Sequence, residues 1–135
     1  MTLQEKQSEF VELFDSLGDW TDKFEYLCEL SQRPASFLYP EQLKTPEYKV
    51  SGCQSRTYLH LNMEHGILRV QGWSNAAIPG GLVAVLEDIF DECSLQDLKQ
   101  TTIDFHLRTG LLKQLSAQRQ ASLLEMVGRI EKMKI

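Results

Sequence analysis

The spacing of hydrophobic residues changes along this chain, and the change restricts the fold more than any other feature. The spacing is helical over residues 3–16 and 20–32, alternates with period two over Arg56–Met63 and Ile67–Trp73, and becomes helical again from Pro79. Glu64-His65-Gly66 supplies turn residues between the two alternating runs, which is typical of a β-hairpin. One hairpin between two sets of helices predicts an α+β fold, with helices packed on a small antiparallel sheet.

The sequence also predicts where the helices begin and which apolar side chains are buried. We expect Thr2 and Glu5 to form a capping box, Asp19 and Ser116 to cap two later helices, and residues 94–115 to form short helical pieces. Tyr48–Ser51 is a candidate third strand. The apolar residues that we expect to be buried are Phe10, Leu13, Phe14, Leu17, Trp20, Phe24, Leu27, Cys28, Phe37, Leu38, Tyr39, Leu43, Leu59, Leu61, Met63, Leu82, Val85, Leu86, Ile89, Cys93, Leu123, Met126, Val127 and Ile130.

Length and composition exclude several classes of protein. A chain of 135 residues is most simply one domain, spanning residues 1–135. The net charge of −5 argues against a general nucleic-acid binder, which neutralises phosphates with Lys and Arg. No apolar run is long enough for a membrane span and the first residues do not resemble a secretory signal. Together with an odd number of cysteines, three, this predicts a cytoplasmic protein with reduced thiols.

The three cysteines differ in their setting. Cys28 and Cys93 lie on apolar stripes, and there a cysteine is most often a small core hydrophobe. Cys53 is on no such stripe and follows Gly52, which gives the backbone freedom. Gln54 and Ser55 can satisfy loop amides without bulk. The pattern is compatible both with a displayed, reactive thiol and with an ordinary cysteine in a turn, and by itself it does not choose between them.

Other kinds of chemistry have weaker signals. No C-x-x-C or suitably spaced histidine predicts a metal site, and Gly80-Gly81 alone does not make a phosphate-binding loop. A Cys/His hydrolase is the enzyme alternative, with His60, His65 or His106 as partner of the thiol. Nucleophilic cysteines of that kind commonly open a helix, whereas Cys53 opens a period-two segment.

Several segments resemble the SufE family of sulfur-acceptor proteins. They are GCQS at Gly52–Ser55, SNAAIPGGLVAVL at Ser74–Leu86, the spaced residues Trp20, Lys23, Tyr26, Glu29, Leu30, Gln32 and Arg33, and LSAQR at Leu115–Arg119 with the helix that follows. The similarity therefore runs through nearly the whole chain in the same order. This chain departs from the family at Thr57-Tyr58, where Val-Trp is common, at Asn75, where Asp is common, and at Pro79-Gly80, which replaces a bulkier pair.

The resemblance implies a fold, a reaction and a set of partners. It implies helices around a curved antiparallel sheet of about three strands, as in SufE-like and IscU-like proteins. It implies that Cys53 accepts sulfur from the persulfide of a pyridoxal-phosphate-dependent cysteine desulfurase of the SufS type. The sulfur would pass to an iron–sulfur scaffold such as a SufBCD-type complex. The chain would stimulate the desulfurase without being an enzyme or holding a cofactor or metal, as a monomer or homodimer.

Supporting residues follow from the same resemblance. They are Gly52, Gln54, Ser55, Asn75 and Arg119. Gly52 is the candidate hinge of a loop that shelters the Cys53 thiol, and Arg119 is the candidate cation that favours its thiolate, the alternative being a solvated or structural arginine. Three further possibilities stay open: a CsdE-like acceptor for a paralogous desulfurase, a regulator that carries no sulfur, and a cluster scaffold that uses Cys28 or Cys93.

Overall fold

A computed structural model describes residues 1–52 and 55–135. Its helices are α1 Leu3–Asp15, α2 Trp20–Ser31, α3 Ala77–Phe90, α4 Leu95–Gln100, α5 Phe105–Arg108, α6 Leu111–Gln114 and α7 Ala117–Lys132. Strands β1 Thr57–Glu64 and β2 Ile67–Ser74 lie between α2 and α3, preceded by two short 3-10 helices, Pro34–Phe37 and Glu41–Leu43. The order confirms the predicted α+β class and the short helical pieces of residues 94–115.

The helices begin where the sequence places their caps. Thr2 Oγ1 accepts from Glu5 N at 3.1 Å, and Glu5 Oε1 accepts from Thr2 N at 3.0 Å, which completes the capping box of α1. The Asp19 carboxylate accepts from Asp22 N at 3.0 Å. Ser116 Oγ accepts from Arg119 N at 3.3 Å, so α7 begins at the residue predicted.

The hairpin is antiparallel and in register from Thr57 opposite Ser74 to Glu64 opposite Ile67. His65 and Gly66 connect the strands with φ values of 52° and 77°. Two consecutive positive φ angles are those of a type I′ turn, whose twist matches that of the flanking strands. The predicted hairpin is thus confirmed.

The predicted third strand, Tyr48–Ser51, is wrong as a full strand. This segment meets β1 only through an isolated bridge between Lys49 and Tyr58. Two backbone hydrogen bonds accompany it, from Val50 N to Thr57 O at 2.8 Å and from Leu59 N to Tyr48 O at 2.9 Å. The pairing stops at Val50 because Ser51 turns away to bind a side chain of α7. Within the described residues the sheet therefore has two strands.

Helix α3 lies at the centre of the fold. Its residues Leu82, Val83, Ala84, Val85 and Leu86 are consecutive and all buried, so the middle of this helix is buried on every side and not only along the predicted stripe. It packs against α2 and β2, and it also contacts α1, β1 and α7. The middle of α3 is therefore the surface on which these five elements pack.

Two glycines bring α3 into backbone contact with α2. A Cβ added at Gly81 would lie 2.2 Å from Leu27 O, and one added at Gly80 would lie 2.9 Å from Ser31 Cβ. No real Cβ atom sits at such distances, so the crossing requires residues without side chains. Gly80-Gly81, too short a motif for phosphate binding, is a packing motif.

Some side chains differ from the predicted pattern. On α1 the inward positions include Gln7, fully buried, whose amide donates to Thr102 O and accepts from Asp104 N and Phe105 N. Leu13 is instead 43% exposed, because the inward face of α1 follows the line of Gln7, Phe10 and Phe14. Phe37 and Leu38 were expected to be buried and are 65% and 76% exposed.

The exposure of Phe37 and Leu38 has a local cause. The first 3-10 turn is held by backbone bonds of its own, from Ser36 N to Arg33 O and from Leu38 N to Ala35 O. The inward contact of this segment is made by Tyr39, which is buried and stacks on Tyr58. One aromatic ring therefore anchors the segment, and the two residues before it face outward.

We expect Gly81→Ala to destabilise the protein by about 2 kcal/mol, because the added Cβ overlaps the Leu27 carbonyl and forces α2 and α3 apart. Urea unfolding followed by circular dichroism would measure the loss as a lower midpoint. Gly128→Ala on α7 is the matched control, since its Cβ meets nothing within 4 Å. It should raise stability by about 0.5–1 kcal/mol through helix propensity. A Gly81→Ala protein as stable as wild type would contradict the close crossing.

Candidate functional site

The sequence singles out residues 51–56, and the structure places them between two paired positions. Val50 N donates to Thr57 O at 2.8 Å, which closes this six-residue segment at its base. Cys53 and Gln54, both predicted site residues, lie outside the described residues. What the structure gives is the geometry of the residues immediately before and after them.

The residues before Cys53 are bound by Glu125 of α7. Ser51 N donates to both carboxylate oxygens at 3.1 Å, and Ser51 Oγ donates to Glu125 Oε1 at 2.6 Å. Gly52 N donates to the same oxygen at 3.2 Å. One carboxylate thus holds both backbone N–H groups that precede the cysteine. Glu125 is not predictable from the sequence, because nothing in its local pattern distinguishes it from a solvated helix glutamate.

Arg129, one turn further along α7, completes this anchor. Its guanidinium donates to Glu125 Oε2 at 2.6 Å, to Tyr48 O at 3.0 Å and to Leu59 O at 3.3 Å, and it also donates to Lys49 O. Burial would raise the pKa of the Glu125 carboxyl, but hydrogen bonds from Ser51 and the interaction with Arg129 outweigh it, so the pKa is lowered. Glu125 is therefore a carboxylate at neutral pH.

The residues after Gln54 are held by the end of β2. Arg56 N donates to Asn75 Oδ1 at 2.9 Å, and Asn75 N donates back to Arg56 O at 3.0 Å. The hydroxyls of Ser55 and Thr57 lie 3.2 Å apart, and the Thr57 hydroxyl lies 2.8 Å from Ser74 Oγ. Asn75 thus binds the segment through a side-chain oxygen, which the aspartate common in the family also has. Loss of the charge does not remove this contact.

Gly52 and Arg119 both lie at the N-terminal half of α7. A Cβ added at Gly52 would be 3.5 Å from Ala121 Cβ, which is ordinary van der Waals contact, and φ of Gly52 is not in the left-handed region. This conformation therefore does not require glycine, and the hinge role of Gly52 stays a prediction. Arg119 is exposed in the first turn of α7, two residues before Ala121, and within residues 1–52 and 55–135 it forms no ion pair. That Arg119 favours the thiolate form of Cys53 stays a prediction.

The other two cysteines have different surroundings from those predicted. Cys93 is buried, as expected, but it follows the end of α3 instead of continuing its stripe, and Leu68 N donates to its carbonyl at 2.8 Å. Burial raises the pKa of its thiol to about 11, which suppresses thiolate formation. Cys28 is only half-buried and lines a shallow groove on α2 with Phe24. Its assignment to the core is therefore wrong in part.

The histidines are distributed over separate parts of the fold. His65 is in the hairpin turn, at the opposite end of β1 from Thr57, a separation of about 26 Å at the usual rise of a strand. The ring of His60 packs edge-on against Tyr48 at 4.7 Å. His106 is buried beside Phe105, and burial lowers its pKa. Among the residues described, no three potential metal ligands converge.

We expect Asn75→Ala to cost about 1 kcal/mol of unfolding free energy, because Arg56 N loses its acceptor. Asn75→Asp is the matched control: it retains a side-chain oxygen, so its stability should stay within about 0.5 kcal/mol of wild type. Urea titrations of the three proteins at pH 7 would measure both differences. Equal stabilities for Asn75→Ala and wild type would show that this contact contributes nothing.

Comparisons with known proteins agree on the family. Residues 8–134 match the sequence profile of SufE, described as an Fe-S metabolism associated domain. An uncharacterized SufE-like protein of Rhizobium meliloti is 31% identical over 128 residues, covering 91% of this chain and 90% of its own length. This curated relative therefore indicates the same family as the sequence profile.

A solved structure supports the fold. The solution structure of a hypothetical protein from Thermus thermophilus superposes with a TM-score of 0.69, covering 96% of this chain and 93% of its own, at 19% identity. This likeness concerns the fold alone. No helix in the described ranges, 1–52 and 55–135, combines the length and apolarity that crossing a membrane requires. The profile match and the curated relative together show that the chain belongs to the SufE family, whose members are sulfur-transfer partners of cysteine desulfurases.

Proposed function

We propose that this chain accepts persulfide sulfur on Cys53 from a pyridoxal-phosphate-dependent cysteine desulfurase of the SufS type, stimulates that enzyme, and passes the sulfur on for iron–sulfur cluster assembly. The observation that carries the proposal is the GCQS segment within a family match over residues 8–134. The anchored residues on both sides of Cys53 support it, because they hold the two ends of the segment that contains this cysteine. Cys93, buried with a raised pKa, is a poor carrier by comparison.

The transfer step needs only sulfur chemistry. The Cys53 thiolate attacks the terminal sulfur of the desulfurase persulfide, and a new S–S bond forms as the original one breaks. The desulfurase cysteine leaves as a thiolate, and Cys53 then carries the persulfide, so no external oxidant or reductant is required. An unperturbed cysteine has a pKa of about 8.5, and only a minor fraction is thiolate at neutral pH. Arg119, exposed at the start of α7, is the proposed cation that raises this fraction.

The proposal also includes the recipient of the sulfur, the cellular compartment and the oligomeric state. The recipient of the sulfur would be a scaffold such as a SufBCD-type complex, and the chain would act in the cytoplasm as one domain, as a monomer or homodimer, without a cofactor of its own. Pyridoxal phosphate belongs to the desulfurase. A CsdE-like role with a paralogous desulfurase uses the same step at Cys53 and differs only in the partner.

We expect the protein to gain the mass of one sulfur atom when it is incubated with a cysteine desulfurase and cysteine, and to lose it on treatment with dithiothreitol. Intact-protein mass spectrometry measures both changes. Cys53→Ser should abolish the gain, whereas the matched variant Cys28→Ser should retain it, because Cys28 lies on α2 and outside the GCQS segment.

Two other results would redirect the assignment. Stimulation of the desulfurase that survives Cys53→Ser would identify a regulator that carries no sulfur. Iron bound on reconstitution through Cys28 or Cys93 would identify a cluster scaffold. Parallel assays with a SufS-type desulfurase and with its paralogue would show which of them is the donor.

The role of Gly52 as a hinge predicts a difference between stability and reactivity. Gly52→Ala should be at least as stable as wild type, because its Cβ fits at 3.5 Å from Ala121 and alanine restricts the unfolded chain. Its rate of sulfur acceptance should nevertheless fall, and Gly52→Val should slow it further. Melting temperatures and the time course of the mass gain measure the two effects. Acceptance rates equal to that of wild type would exclude the hinge.

A further inference from the structure

The carboxylate of Glu125 is the least expected element of the site. It belongs to α7, more than seventy residues away in sequence from Ser51 and Gly52, yet it accepts both of their backbone N–H groups and the Ser51 hydroxyl. Ser51 is exposed, so apolar burial does not hold it in place. Among the described contacts, the Glu125 carboxylate is the group that binds both backbone N–H groups just before Cys53.

Arg129 makes the anchor rigid. It neutralises Glu125 at 2.6 Å and at the same time binds the carbonyl groups of Tyr48, Lys49 and Leu59. A charge-assisted contact of this kind is stronger than a neutral hydrogen bond. Arg129 thereby fixes the base of the loop, and Glu125 extends the fixed region as far as the N–H group of Gly52.

We propose that Glu125 is a positioning residue for sulfur acceptance, which fixes Ser51 and Gly52 so that Cys53 meets the partner's persulfide in a defined place. This inference rests on the proposed function of Cys53. Glu125 acts through the backbone that carries the cysteine and not through contact with the reacting sulfur. The contact specifies the direction from which the chain enters position 53.

The expected effect follows from conformational entropy. Without Glu125 the backbone of Ser51 and Gly52 samples more states, and docking in the desulfurase must remove that freedom. We expect Glu125→Ala to raise the KM for the acceptor about tenfold, which corresponds to about 1.4 kcal/mol. The maximal rate at saturating acceptor should change much less, because the thiol and the persulfide are unaltered. A purely structural role would not produce this division between KM and kcat.

The variants can be chosen so that folding is controlled. Glu125→Ala removes the acceptor, and Glu125→Gln keeps the length and one oxygen but loses the charge that pairs with Arg129. Glu131→Ala is the matched control, since Glu131 also lies on α7 and pairs with Lys134 at 3.0 Å without contacting residues 51 or 52. Arg129 is unsuitable, because its loss would also release three backbone carbonyls.

Three measurements test the proposal on each variant. Hydrogen exchange followed by NMR should show faster exchange of the Ser51 and Gly52 amides in Glu125→Ala and no change in Glu131→Ala. Alkylation by iodoacetamide should proceed at Cys53 at least as fast in Glu125→Ala as in wild type. Desulfurase turnover against acceptor concentration should give the raised KM, with Glu125→Gln between Glu125→Ala and wild type.

The outcomes separate this inference from the function on which it rests. A wild-type protein that gains no sulfur would overturn the proposed function itself. A wild-type protein that gains sulfur, with the same KM in Glu125→Ala, would overturn only the role of Glu125. An equal rise in KM for Glu131→Ala would also overturn it, since the effect would then come from the charge of α7 and not from the contact with Ser51 and Gly52.

Discussion

The contact between the backbones of α2 and α3 is the constraint on which the rest of the fold depends. At Gly81 the two chains approach so closely that even a methyl group would overlap the Leu27 carbonyl. A similar approach occurs on the other side of α3, where a Cβ at Gly72 of β2 would lie 2.5 Å from Val83. Helix α3 is thus held between α2 and the hairpin by residues without side chains. Both approaches set where β1 and β2 lie, and with them the ends of the Cys53 segment.

Polar side chains of α7 provide the second constraint on the structure. This helix buries Leu123, Met126, Val127 and Ile130 in the core, which fixes the position of the Glu125 and Arg129 side chains beside them. Those two side chains then bind the chain from Tyr48 to Gly52. Packing of an apolar helix face therefore determines the position of a polar loop. A rigid scaffold that presents a loop in this way is a common arrangement for functional residues.

Thr57 and Tyr58, which depart from the family pattern, make specific contacts with their neighbours. Tyr58 is buried between Tyr39 and Trp73, with ring centroids 6.2 Å from each, and Lys44 Nζ lies 3.8 Å above the Trp73 ring. Thr57 is buried beside Ser74 and shares a short contact between hydroxyls. Thr57-Tyr58 therefore forms a polar pair and an aromatic stack at the entrance to β1. These contacts stabilise the same hairpin by other means than a Val-Trp pair would use.

Much of this molecule follows from its sequence alone. The change of hydrophobic period predicts the hairpin and the helices, and Thr2, Asp19 and Ser116 predict where three of the helices begin, because caps and periodicity are local properties of the chain. The GCQS motif with its matching segments predicts the family. The sequence did not determine that the middle of α3 is buried on all sides, that Phe37 and Leu38 face outward, or that Glu125 binds Ser51 and Gly52. Those features join residues far apart in the chain, and only the packing of α7, α2 and α3 brings their atoms within contact distance.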